Sequence, residues 1–187
     1  DGNEDTFSDS DFRRFRFGTK ARFLKNFYFA GAANFRPESG SFYNNLANTY
    51  FAWSPNGNDK DALSEFQVGV GRYRPRFTRE FTTSAKRIKT FERSILSNQL
   101  SPGRALGIWV SGEAEPCSYF ISAFSGDDSD EFSAFDSDSA VFLGKLGVDF
   151  AKDWNLGLDY LATMSDPEVT EDVDHMFSLS TSYNEKY

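Results

Sequence analysis

From Arg14 to Phe23 the chain alternates between cations and apolar groups. Arg14, Arg16, Lys20 and Arg22 take even positions, while Phe15, Phe17, Thr19, Ala21 and Phe23 take odd ones. A helix, at 3.6 residues per turn, would mix these sets on every face, whereas an extended strand sends successive side chains to opposite sides. This segment therefore reads as a β-strand with one basic face and one aromatic face. The next segment repeats the arrangement, setting Phe27, Phe29, Gly31, Ala33 and Phe35 against Tyr28, Ala30, Ala32 and Asn34, with Lys25-Asn26 as a tight connection.

Further alternating stretches follow at 46–54 and 64–73, joined through the Pro55-Asn56-Gly57-Asn58 turn region. The alternation stops after Tyr73 and resumes at 105–113, 117–126, 140–150, 154–163 and about 173–183. About nine antiparallel strands result, with tight turns alternating with longer polar connections. The longest connection, 74–104, is richly basic, and the spacing of Ile88, Phe91 and Ile95 fits a short helix within it. Structureless connections beyond about 15 residues are uncommon in compact proteins and often carry function. Residues 1–187 show no domain linker, so they read as a single unit.

Charge is segregated along the chain. The net charge is −8, yet residues 12–104 hold 17 bases against six acids, and residues 105–187 hold three bases against 17 acids. The basic part is suited to attracting anions, nucleic acid or an acidic partner. Aromatic residues make up 17% of the chain, 21 of them Phe, too many for a disordered segment. The single cysteine, Cys117, excludes an intramolecular disulfide framework, and the single histidine, His175, excludes a His-rich zinc site. Asp127, Asp128, Asp130 and Glu131 lack the spacing of a calcium-hand loop and read as a solvated loop. No metal, cofactor or catalytic constellation is expected, and the chain is not read as an enzyme.

Alternation alone does not say which face meets water. In a soluble sandwich or small barrel the Phe-rich face is the core and the basic face is outside. In a transmembrane barrel the orientation reverses, and the basic stripe lines the lumen. No apolar run approaches the roughly 20 residues of a membrane-spanning helix, but barrel strands need none. Strands near ten residues, small residues among the aromatics of the apolar face, and the contrast between tight and long connections favour the membrane arrangement.

A resemblance sharpens this reading. Phe12-Arg13-Arg14-Phe15-Arg16-Phe17, Lys25-Asn26-Phe27-Tyr28-Phe29 and Val70-Gly71-Arg72-Tyr73 stand in sequence order. Phe77, Thr83-Ser84-Ala85-Lys86, Phe91-Glu92-Arg93-Ser94 and Ala105-Leu106-Gly107 follow. Together they resemble the phosphate-selective porin family over roughly residues 10–163, most strongly from 66 to 110. The resemblance implies an all-β, antiparallel transmembrane barrel segment from the N-terminal half of a barrel of about 16 strands. Nine strands do not complete such a barrel, so a truncated chain or fragment is expected. It also implies a constriction loop over 74–104, a location in the outer membrane of a Gram-negative-type cell and a homotrimeric assembly. The expected function is passive passage of small inorganic or organic anions, phosphate among them, with outer-membrane lipid around the barrel.

The resemblance implies that Arg13 and Arg14 belong to a basic, anion-guiding inner surface. Strict alternation sends only one of them inward unless a bulge intervenes. Arg16, Lys20 and Arg22 extend the stripe of Arg14 as further pore-lining positions. Thr83, Ser84 and Lys86 match a constriction-loop neighbourhood in which hydroxyls replace part of an anion's hydration shell and the lysine supplies charge. Ala85 stands where a further hydroxyl is often found, which weakens phosphate specificity. Arg72 and Arg74 are also assigned to the pore, with Arg76 and Arg79 guiding anions or binding acids of the wall. Glu92 and Arg93 are assigned to anchoring the loop. Two alternatives remain: a soluble β-sandwich, structural or carbohydrate-binding, with Trp53, Trp109 or Trp154 stacking on sugars, and a nucleic-acid-binding surface on Arg13–Arg22 and Arg72–Arg93. The acidic C-terminal part argues against the latter, and no nucleic-acid partner is expected.

Overall fold

A computed structural model describes residues 15–36, 42–55, 66–79, 103–126, 131, 139–164 and 174–183. Among these residues all the regular elements are strands. They are β1 (Phe15–Phe23), β2 (Phe27–Phe35), β3 (Tyr43–Leu46), β4 (Thr49–Trp53), β5 (Phe66–Tyr73), β6 (Ala105–Ala114), β7 (Cys117–Phe124), β8 (Val141–Ala151), β9 (Trp154–Thr163) and β10 (His175–Tyr183). Every pairing is antiparallel, in the order β1-β2-β4-β5-β6-β7-β8-β9-β10, with β3 also paired to β2. Among the described residues β1 and β10 do not pair with each other, so the sheet is open.

The ten elements fill nine positions along the sheet, as the periodicity predicts. The difference lies at 46–54, expected as one strand. Here β3 and β4 run end to end along the same side of β2, interrupted at Ala47 and Asn48. Ala47 is buried with its N–H on the Ala32 carbonyl at 2.7 Å, and the Asn48 Oδ1 accepts from Arg104 Nε at 3.0 Å. Both residues are thus satisfied outside the regular ladder. The expected helix within 84–100 lies outside the described residues.

Opposed residues on paired strands share a face, so the register assigns every side chain. One face carries Phe17, Phe51, Val70, Ile108, Ile121, Leu146, Leu158 and Leu179, all at least 40% exposed. At the end with the tight turns this face is edged by a row of rings. Phe23 stacks on Phe27 at 5.7 Å, Trp53 meets Phe66 at 6.4 Å, and Trp154 lies between Phe150 at 6.3 Å and Tyr183 at 5.2 Å. Phe15 and Phe35 at 6.3 Å, and Tyr160 and Phe177 at 4.7 Å, begin a second row toward the long connections. An exposed aliphatic band between two aromatic rows is the pattern of a surface that meets hydrocarbon, with the rings at headgroup level. It does not suit a soluble protein, where apolar patches of this extent are rare. Trp53 and Trp154 belong to the edging row.

Trp109 is on the opposite face, and so is the buried cluster. Tyr73, Phe77, Ala105, Trp109, Phe120, Phe124, Val141, Leu143, Leu161 and Met176 pack together there. The inner face is therefore not polar throughout. The chain after β5 turns over this face and buries Pro75 and Phe77 against it, so the strands beneath supply apolar partners. Burying a Phe contributes about 1.5–3 kcal/mol, which fixes residues 74–79 to the wall. Gly69 makes the packing possible, because a Cβ at that position would overlap the Trp109 indole. Gly71, with φ at 140°, takes a conformation open to glycine and lies directly over the Tyr50 backbone.

Candidate functional site: a cation-bearing cavity on the inner face

Below the apolar cluster, toward the tight turns, the inner face opens into a cavity of about 710 Å³. Its floor follows from register. The row Ser118, Gly147, Gly157 and Ser180 crosses four strands with no side chain longer than serine. The neighbouring row reads Gln67, Ser111, Phe120, Lys145, Asp159 and Ser178. Short side chains in the first row leave the space that polar and charged groups of the second row border.

Lys145 and Asp159 face each other across β8 and β9, with Nζ 3.4 Å from Oδ2. Asp159 is buried and also accepts the backbone N–H of Thr78. Arg79 donates from Nη1 to Asn155 Oδ1 at 3.1 Å, and Asn155 donates from Nδ2 to Asp149 Oδ1 at 2.9 Å. Arg76 lies 5.3 Å from the Tyr73 ring centroid and bonds the same phenol oxygen. The segment leaving β5 thus carries two guanidinium groups into the cavity and ties them to β5 and β9.

The opposite wall is aromatic. Tyr28 and Tyr50 line the cavity with ring centroids 6.0 Å apart, and Tyr50 meets Trp109 and Tyr73 edge-on at 5.2 and 5.3 Å. Arg22 sits 5.9 Å over the Tyr28 ring. Four cations and two carboxylates, Glu113 and Asp159, are among the described lining residues. This arrangement raises the local concentration of anions while holding each cation by a neighbour.

Of the residues singled out from sequence, Arg16, Lys20 and Arg22 lie on the face opposite Phe15, Phe17 and Phe23, and Arg22 reaches the cavity. Arg16 Nε donates to Asn34 Oδ1 at 2.7 Å, and Asn34 passes a bond to Asn45 at 2.5 Å. Arg72 pairs with Thr49 and Leu106, which puts it on the face of Val68 and Val70 and away from the Arg16 stripe. Its pore-lining assignment is thereby corrected, the even numbering shared with those valines being the signal. Arg74 is half-buried just beyond the strand. Arg13, Arg14, Thr83, Ser84, Lys86, Glu92 and Arg93 lie outside the described residues.

Sequence reasoning passed over Lys145, Asp159, Asn155, Tyr28 and Tyr50 as site residues. They are spread over β2, β4, β8 and β9, and only the register gathers them. Among the described residues no three of His, Cys, Asp and Glu come together as a metal site. No described helix is long and apolar enough to cross a membrane, which says nothing about crossing with strands.

Comparison with curated proteins and with solved structures returned no match. A family model described as phosphate-selective porin O and P matches residues 1–186. An exposed apolar face edged by rings and a cation-bearing cavity behind it are what such a channel wall requires, and this chain belongs to the phosphate-selective porin family of outer-membrane channels.

Proposed function

We propose that the chain forms part of the wall of a passive outer-membrane pore for small anions, phosphate among them, in a Gram-negative-type cell. The observation that carries this reading is the division of the sheet into two faces. Exposed Phe, Val, Ile and Leu cover one side, while Arg22, Arg76, Arg79 and Lys145 surround a cavity on the other. Conduction needs entry to be favourable and exit to be fast, and cations already held by Tyr28, Tyr73, Asn155 and Asp159 offer moderate sites that meet both needs. Residues 74–104 act as the constriction loop, with Thr83, Ser84 and Lys86 contacting the anion and Glu92 and Arg93 anchoring. Arg14 continues the basic stripe of β1, Arg13 joins it where a bulge brings both inward, and the assembled pore is a homotrimer.

The test is the reversal potential of the full-length protein in planar bilayers across a potassium chloride gradient. A potential of the sign set by chloride is expected, with phosphate competing for the current. A potential of the sign set by potassium sinks the anion-pore reading, even with the barrel intact.

A further inference from the structure

The lining of the cavity divides into two parts of different chemistry. Arg22, Arg76, Arg79 and Lys145 against Glu113 and Asp159 leave a surplus of two positive charges among the described lining residues. Such a surplus favours a doubly charged head over a singly charged one. The other part is polar and mostly uncharged. Gln67 and Ser111 face each other across β5 and β6, and Ser118 and Ser180 stand in the row of Gly147 and Gly157. A Cβ on Gly147 would meet the Ser118 hydroxyl and one on Gly157 the Ser180 hydroxyl, so the floor presents oxygen rather than hydrocarbon.

Glu113 belongs to this polar part. It is exposed, lines the cavity and pairs with Ser118 across β6 and β7. An ionised carboxylate only accepts hydrogen bonds, so it repels an inorganic dianion but is a strong partner for hydroxyl groups. By strand geometry Lys145 stands two residues, about 7 Å, along β8 from Gly147, and Glu113 two strands, about 10 Å, to the side of Gly147. Inorganic phosphate held by the cations does not reach Glu113. A phosphate ester with hydroxyls on its organic part does, and about 710 Å³ is within the range of sites for whole organic ligands.

We propose, on the reading of this cavity as part of an anion pore, that it also binds phosphate monoesters of polyols such as sugars, the phosphate on Arg76, Arg79 and Lys145 and the hydroxyls on Glu113, Ser118 and Ser180. Inorganic phosphate uses the cationic part alone. A hydroxyl donated to a carboxylate corresponds to roughly a tenfold preference over an ester of the same shape without hydroxyls.

Full-length protein in planar bilayers is exposed to glucose 6-phosphate, to cyclohexylmethyl phosphate and to inorganic phosphate at about pH 8, where both monoesters are doubly charged. Block of the chloride current is read for each. Glucose 6-phosphate is expected to block at least as strongly as inorganic phosphate and about tenfold more strongly than cyclohexylmethyl phosphate, which has the same shape without hydroxyls. Glu113→Ala is expected to bring the two monoesters to within about twofold of each other while strengthening block by inorganic phosphate, and Glu113→Gln, which keeps an acceptor, to retain most of the difference. The ratio of the two monoesters is internal to each variant, so changes in conductance or yield cancel. Equal block by the two monoesters, weaker block by glucose 6-phosphate than by inorganic phosphate, or a ratio unchanged in Glu113→Ala would overturn the polyol site while the anion pore stands. A pore that prefers cations overturns both.

Discussion

Asp159 is the residue whose role is least evident from its own strand and clearest in three dimensions. Its neighbours in sequence, Leu158 and Tyr160, are exposed apolar residues, and the carboxylate points the other way to Lys145 and to the Thr78 N–H. Removing its charge leaves Lys145 without a counter-ion on a wall that already bears Arg76 and Arg79. Asp159→Asn keeps the shape of the side chain while dropping the charge, so anions should bind more tightly and leave more slowly. The expected result is an anion-over-cation permeability ratio higher by about threefold, with phosphate block prolonged. Reversal potentials and single-channel dwell times check it, and an unchanged ratio means that Lys145 is not exposed to permeating ions. Lys145 and Asp159 are 14 positions apart; Lys145 shares the polar side of β8 with Asp149, and Asp159 is the lone charge of β9. Alternation tells that both point inward, but their meeting depends on the pairing of β8 with β9.

At the scale of elements, the chain that leaves β5 is the feature that shapes the cavity. Thr78 is held at φ 56°, a left-handed conformation that a β-branched residue rarely adopts. Pro75 and Phe77 buried on one side, and the bonds from Thr78 and Arg79 to β9 on the other, outweigh that strain. Thr78→Gly relieves the strain and leaves those contacts in place, so it should stabilise the folded protein by about 1 kcal/mol. Asn155→Ala releases Arg79 instead and should raise open-channel current noise. Urea unfolding in lipid vesicles and bilayer recording read the two effects, and the reverse assignment of effects would show that the segment is held otherwise. Sequence marked this region as functional from its length and basic charge. The inward turn was expected only through the family resemblance, and the apolar cluster it covers was not legible, since Phe77 is one ring among many until its burial is seen.

For the molecule as a whole, the decisive property is that its apolar residues are outside. Ile121 stands in the middle of β7 on that face, 62% exposed, opposite Val110 and Gly144. Ile121→Arg should cost about 2–4 kcal/mol in a bilayer, where the guanidinium faces hydrocarbon. Reversible folding into phospholipid vesicles measures it, and a near-neutral result would mean that this face does not meet lipid. The alternation of Arg16, Lys20 and Arg22 with Phe15, Phe17 and Phe23 determined strands, two-faced character and antiparallel hairpins, because side-chain direction along a strand is a local property with period two. The parity of Arg72 with Val68 and Val70 likewise stood in the sequence, and only a grouping by charge hid it. Which face turns inward is decided by where the chain after Tyr73 folds and by what it buries. The cavity's composition is decided by the registers of successive strand pairs taken together, because side chains from β2, β4, β6, β8 and β9 become neighbours only when the sheet has formed.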